Sequence, residues 1–306
     1  MTAAILLEEI NKTFGDHKAV RNLHLKIPES RIYGFLGPNG AGKTTTIRMI
    51  MSIIYPDSGS ISILGNQRAE AVKDRIGYLP EEKGLYKKMK VLELVSYFGQ
   101  LKGMNAGFAR KQAQNLLEEF ELGEWLDKKC DALSKGMGQK VQLAATLVHD
   151  PDIVILDEPF SGLDPINIEL VRNMILTLKN RGKTVIFSTH IMEQAEQICD
   201  MLMLINKGEK LIDGTLDEIK AGFEPTIKIE YEGELAFLQS VPAVKRLNDM
   251  GRQAEISLLP EMSSQDLLKE LLNHQVTIKQ FTLTQPSLHE IFVRTVGAHR
   301  TEGPES

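Results

Sequence analysis

The first segments of the chain alternate. Leu23, Leu25 and Ile27 take one face while His24 and Lys26 take the other, which is the period of a half-buried strand. A short apolar run over Ile32–Leu36 then leads into a glycine-rich stretch, residues 37–46. The pattern turns helical from Thr45 to Ile54, and Pro56, Asp57, Ser58 and Gly59 close it with a turn. Ile61, Ile63 and Leu64 start another strand-like segment. Residues 91–148 are mostly helical in pattern, with Leu92, Val95, Phe98 and Leu101 three apart. Strands return at Ile153–Leu156 and Val185–Phe187, apolar throughout as parallel strands covered on both faces are.

Between those two runs, Asp164 is placed as an N-cap, Pro165 as the first helical residue and Gly182 as the stop. Ile168, Val171, Ile175 and Leu178 supply the buried stripe. Strand, helix, strand in this order predicts an α/β fold with a mostly parallel sheet. Met201–Ile205, a turn at Lys207–Gly208 and Lys210–Ile212 read as a closing hairpin.

The pattern changes again near Gly222–Pro225. Residues 226–296 read as strand, short helix, a hairpin about Gly251, helix, strand and a last helix. This is a βαββαβ order with an added helix, and it predicts a small α+β domain of ferredoxin-like type. Its apolar leucines, Leu267, Leu268, Leu271 and Leu272, are enough for a small core. The expected organisation is therefore a first domain over 1–222 with a helical subdomain at about 88–150, an accessory domain over 223–296, and a disordered tail over 297–306.

A length of 306 residues agrees with two domains. Apolar residues at 42% and charged residues at 25% exclude a disordered chain. The balance of 36 Lys+Arg against 41 Asp+Glu, a net charge of −5, argues against a nucleic-acid-binding surface. Cys130 and Cys199 are the two cysteines, too few for a disulfide framework or a Cys/His metal cluster. No apolar stretch reaches the roughly 20 residues that cross a bilayer. The first ten residues lack a basic segment and carry Glu8 and Glu9, so a cytoplasmic chain is expected, with any spanning part supplied by another chain.

Candidate chemistry begins at Gly37-Pro38-Asn39-Gly40-Ala41-Gly42-Lys43-Thr44, followed by Thr45. This fits G-x-x-x-x-G-K-[ST], a loop whose backbone N–H groups wrap phosphates while the next helix offers its positive end. Lys43 is expected on the β- and γ-phosphates and Thr44 on Mg²⁺. The apolar run Ile153–Leu156 ends in Asp157-Glu158, carboxylates at the end of a buried parallel strand, where such sheets bind ligands. Asp157 can hold Mg²⁺ and Glu158 can polarise an attacking water. Leu133-Ser134-Lys135-Gly136-Met137 opens an apolar helix, with Ser134 as N-cap. A capped helix start is also an anion site.

The ordered set GPNGAGKTT, LSKGM, IVILDE, SGLD and the strand-end His190 resembles the ATP-binding cassette (ABC) ATPases of membrane transporters, over about residues 4–220. LSKGM, YLPEEKGLY and the added C-terminal domain make it similar to the subunits serving type-2 exporters, especially the sodium-efflux-like branch. The resemblance implies a P-loop NTPase core with antiparallel β and helical subdomains, and a subunit that hydrolyses ATP with Mg²⁺ to drive efflux through a separate membrane permease. It implies two copies, identical or paralogous, arranged head to tail at the inner face of the cell membrane. Each ATP is then held by the phosphate loop of one copy and by Ser134 and Gly136 of the other, with Asp164 at the dimer contact. It also implies His190 on the γ-phosphate and attacking water, and Phe14 stacked on adenine.

Two positions depart from the family pattern. Glu81 stands where glutamine is usual, as a candidate Mg²⁺ ligand that adds negative charge, and Lys135 and Met137 replace the usual Gly and Gln. Lys135 is expected to offset Glu81, either at the nucleotide or through long-range attraction. Two alternative readings are a non-transport ABC ATPase and an ATP-binding regulatory subunit. A single cassette and the acidic balance disfavour the first; Glu158 and His190 disfavour the second.

Overall fold

The computed structural model describes residues 2–67, 69–81 and 84–301. The described elements run β1 (Ala3–Phe14), β2 (His17–Pro28), β3 (Ile32–Leu36), α1 (Lys43–Ile50), β4 (Ser58–Ile63) and β5 (Ile76–Leu79). Three helices follow, α2 (Val91–Leu101), α3 (Ala106–Glu119) and α4 (Lys135–Leu147). Then come β6 (Ile153–Asp157), α5 (Pro165–Asn180), β7 (Thr184–Thr189), α6 (Met192–Ile198), β8 (Met201–Asn206), β9 (Glu209–Thr215) and α7 (Leu216–Ala221). The last part holds β10 (Thr226–Glu232), β11 (Val244–Asp249), β12 (Gln253–Leu258), α8 (Ser264–Asn273), β13 (Thr277–Thr284) and α9 (Leu288–Thr301). Among the described residues no helix is long and apolar enough to cross a membrane.

Contacts divide the chain into two units, 1–216 and 217–306. The division falls six residues before the boundary expected at 222, and it groups most of α7 with the second unit. The first unit is built on a six-stranded sheet of order β5-β6-β7-β3-β8-β9, parallel except for the β8–β9 hairpin. Every residue of β3, β6 and β7 is buried, the apolar runs Ile32–Leu36, Ile153–Leu156 and Val185–Phe187 as covered parallel strands require, and the polar Asp157, Thr184, Ser188 and Thr189 with them. A second, antiparallel sheet of order β2-β1-β4 shares a core with it. Ile47 and Ile50 of α1 belong to that core. The apolar stripe of α2 is half right: Leu92 and Val95 are buried, but Leu101 is 59% exposed. α1 is shorter than its pattern. It ends at Ile50, because the backbone turns left-handed at Ser52, φ 53°.

The second unit is a four-stranded antiparallel sheet of order β11-β12-β10-β13. Each crossover skips one strand, which is the split βαβ arrangement expected of a ferredoxin-like domain. Its first crossover carries only a five-residue 3₁₀ turn, Ala236–Ser240. Ile227, Ile229, Tyr231, Ile256, Leu267 and Leu271 form its core. Leu272 is not in it, being 58% exposed. A capping box between Ser263 and Asp266 starts α8. Helix α9 reaches Thr301, so residues 297–301, expected as a disordered tail, are helical. Glu82 of the YLPEEKGLY segment and residues 302–306 lie outside the described residues.

Candidate nucleotide site

The parallel strands end on one edge, and the candidate residues follow those ends. Leu36 of β3 pairs with Thr189 of β7, and Asp157 of β6 pairs with Ser188. Gly37, Asp157 with Glu158, and His190 are therefore gathered by strand register, though far apart in sequence.

The loop from Gly37 to Gly42 is closely packed from behind. A side chain at Gly37 would put its Cβ 2.1 Å from the Ile205 carbonyl oxygen of β8. At Gly42, φ is +111° and a Cβ would lie 2.5 Å from the Ala19 carbonyl oxygen. Only glycine fits there. The Gly208 amide donates to the Ala41 carbonyl (2.9 Å), so the β8–β9 turn supports the loop. Lys43 is 5% exposed; its Nζ donates to the carbonyls of Gly37 (2.8 Å) and Pro38 (3.2 Å).

Lys43 Nζ also lies 3.3 Å from Glu158 Oε1, and His190 Nδ1 lies 3.0 Å from Glu158 Oε2. Glu158 thus lies between two nitrogen groups, its Oε1 near the Lys43 ammonium but without a hydrogen bond, on a residue with left-handed φ of 49°. That backbone is pinned by a residue the sequence reading missed. Ser188 Oγ accepts from the Glu158 amide at 2.9 Å and donates to Asp157 Oδ1. Its only sequence signal is a small hydroxyl near the end of an apolar strand, and that means little until the register sets Ser188 beside Asp157.

Thr44 Oγ1 donates to the same Asp157 oxygen at 3.1 Å, while Asp157 Oδ2 is buried without a hydrogen-bond partner. Burial pushes the Asp157 carboxyl above its ordinary pKa, against the two hydroxyl hydrogen bonds. An orphaned buried carboxylate oxygen beside a threonine hydroxyl fits a hard divalent cation that takes most of its other ligands from water and phosphate. Among the described residues no group of three or more His, Cys, Asp or Glu could hold a metal without such help. Glu81 is exposed in the loop after β5, and its charge adds slightly to an upward push on Tyr78, whose hydroxyl is raised to about 12 chiefly by burial.

The other candidates make their hydrogen bonds and contacts with other residues. Ser134 caps α4, its Oγ accepting from the Met137 amide at 3.3 Å. Asp164 caps α5, accepting from the Asn167 amide (2.9 Å) and side chain (2.6 Å); the first of these bonds does most to hold its carboxyl below the usual range. Phe14 is 49% exposed at the β1–β2 turn, with Lys12 Nζ 5.4 Å from its ring centroid. Lys135 forms no ion pair with Glu81 among the described residues. Its ammonium lies over Gly162 instead. Cys130 and Cys199 are buried free thiols.

Comparison with known proteins bears on this arrangement directly. A family profile described as ABC transporter matches residues 20–161. The ABC transporter ATP-binding protein YhaQ of Bacillus subtilis, itself uncharacterized, is 42% identical over 295 residues, 96% of this chain and 99% of that one. This chain belongs to the ATP-binding proteins of ABC transporters. Members of that family hydrolyse ATP, so the chain is an ABC ATPase. A second profile, the C-terminal domain of DrrA1-3-like ATP-binding proteins, matches residues 214–296 of this ATPase. The Nod factor export ATP-binding protein I of Burkholderia lata is 40% identical over 215 residues, covering 69% of this chain and 71% of that one. Among solved structures, an ATP-binding subunit of an ABC transporter superposes with a TM-score of 0.67 at 29% identity, over 72% of this chain and 93% of that one.

Proposed function

We propose that this ABC ATPase powers efflux through a separate membrane permease, working at the inner membrane face as a head-to-tail pair of ATPase subunits. The observation that carries the chemical part is Glu158, held between Lys43 and His190 beside the phosphate loop. Gly37, Pro38, Asn39, Gly40, Ala41 and Gly42, with Thr44 and Thr45, form the cradle for the phosphates, and Phe14 is the exposed ring for adenine. Lys43 turns from the loop carbonyls to the β- and γ-phosphates. Glu158 then takes the proton of the attacking water or orients it, and His190 fixes Glu158 and the γ-phosphate together. Thr44 and Asp157 would hold Mg²⁺, with Glu81 a further candidate ligand, and the ion would supply neutralisation of phosphate charge. Ser134 and Gly136 meet the partner copy's nucleotide, with Asp164 at the contact between copies.

An exposed aromatic group supports the permease reading. Tyr86, Tyr97 and Phe98 have ring centroids 6.1 to 6.5 Å apart, beside Leu101, and Tyr86 is 58% exposed. An apolar patch of this kind on a helical subdomain suits a protein partner. The likeness to a Nod factor export protein supports the outward direction. The reading is tested by purifying the full chain from native membranes and measuring ATP turnover with and without Mg²⁺. A co-purifying multi-span protein and Mg²⁺-dependent turnover are expected. Turnover independent of Mg²⁺, or a chain recovered without any membrane protein, would overturn it.

A further inference from the structure

One face of α4 grips the segment that follows Glu158 at three points. Gln139, 4% exposed, donates its Nε2–H to the Pro159 carbonyl. One turn earlier on the same face, Lys135 bends over Gly162 so closely that a Cβ there would lie 2.5 Å from its Nζ. Gly162 has a φ of +69°, a backbone conformation that favours glycine, and the Lys135 chain lies over it. Gly136 backs onto Asn167, where a Cβ would meet Nδ2 at 2.7 Å, and Asn167 is itself bound by Asp164.

Lys135 is otherwise badly placed. It is a cation in the first turn of a helix with no acidic residue there, against the positive end of the dipole. Among the described residues no carboxylate pairs with it. Its ammonium lies against the Gly162 backbone, at an exposed position.

We infer that Lys135 and Gln139 are positioning residues for hydrolysis: they tie the first turns of α4 to the 159–162 segment, so that the Ser134 turn and Glu158 move as one body. The inference rests on the proposed function, in which Ser134 meets the partner copy's ATP. Engagement of that nucleotide then sets the position of Glu158 in the same chain through Gln139–Pro159 and Lys135–Gly162. Small displacements of a base are costly, since a misplacement of about 1 Å can lower a rate about a hundredfold.

The test uses the full chain and steady-state ATP turnover. Lys135→Ala, at an exposed position, should lower kcat roughly tenfold with KM for ATP little changed, and Lys135→Arg should restore most of it. Gln139→Leu should lower kcat likewise. Because both act on one segment, the double variant should lose little more than the worse single one, instead of the product of the two losses. In a Glu158→Gln background, Lys135→Ala should leave ATP-dependent pairing of the chain intact. Unchanged kcat, multiplying losses, or loss of pairing would overturn the inference, the last by making Lys135 a contact to the partner's nucleotide. Absence of turnover in the unmodified chain would instead sink the proposed function itself.

Discussion

His190 Nδ1 stands 3.0 Å from Glu158 Oε2, at the end of the strand next to the one that carries Glu158. The pair leaves the other Glu158 oxygen to Lys43, 3.3 Å away, with both side chains 5% exposed. The carboxylate is oriented through one oxygen by His190, while the other, buried near the Lys43 ammonium, makes no hydrogen bond. Once Lys43 turns to phosphate, Glu158 keeps its His190 contact and gains a free oxygen.

Glu158→Gln should therefore separate binding from turnover. Lys43, Thr44 and Asp157 are untouched, and Lys43 loses a competing anion, so ATP affinity should hold or rise. Turnover should fall at least about a hundredfold, the usual scale for a positioned base. The variant should accumulate as an ATP-bound pair of chains. Sizing with and without ATP checks this, and a variant that still hydrolyses ATP at a substantial rate would remove Glu158 from the role.

Ser134→Arg addresses the trans reading. Ser134 is exposed at the start of α4, and its single cap bond to Met137 contributes about 1 kcal/mol. The substitution should prevent pairing by filling the place of the partner's γ-phosphate, while nucleotide affinity of the isolated chain stays within about twofold. A tenfold loss of that affinity would mean Ser134 serves its own chain's site.

How much of this site the sequence carried depends on whether a feature is local. The phosphate loop, the Asp157-Glu158 strand end and the Asp164–Pro165 helix start are each written in adjacent residues, and the structure has each in the expected local form. Ser188 is different. Its meaning comes from the parallel register that puts it beside Asp157, and register between strands 31 residues apart has no local signature. The four-residue β5 escaped for a related reason: Gly77 at its centre breaks the apolar pattern, and its Cβ position is taken by the Thr146 carbonyl of α4 at 2.6 Å. The position of Lys135 over Gly162 is likewise hidden, because sequence reveals charge but not the direction in which a long side chain folds.

His149 should govern acid sensitivity away from the nucleotide site. Its Nε2–H donates to the Ile76 carbonyl at 3.2 Å, and its Nδ1 is buried without a partner. Burial first, and the nearby Lys102 charge second, lower its pKa from 6.5 to about 4. Between those values the unfolded chain binds the proton and the folded chain does not, so stability is full above pH 6.5 and declines as pH falls toward 4. His149→Gln keeps a donor for Ile76 but cannot titrate. Its Tm should fall less steeply than that of the unmodified protein across this window; parallel curves would exclude His149 as a source of the slope.

The second unit should prove separable from nucleotide binding. All the candidate nucleotide residues, from Phe14 to His190, lie in residues 1–216, and the 217–306 unit has a core of its own around Ile227, Ile256, Leu267 and Leu271. Each unit buries its own apolar faces, so a chain ended at Gly222 should fold and bind ATP with near-normal affinity. An accessory role in pairing predicts a shorter lifetime of the ATP-bound pair, or altered turnover, in that shortened chain. A passive appendage predicts unchanged kinetics, and measuring both lifetime and turnover distinguishes the two. Loss of ATP binding on truncation would contradict both, because the second unit would then be completing the nucleotide fold.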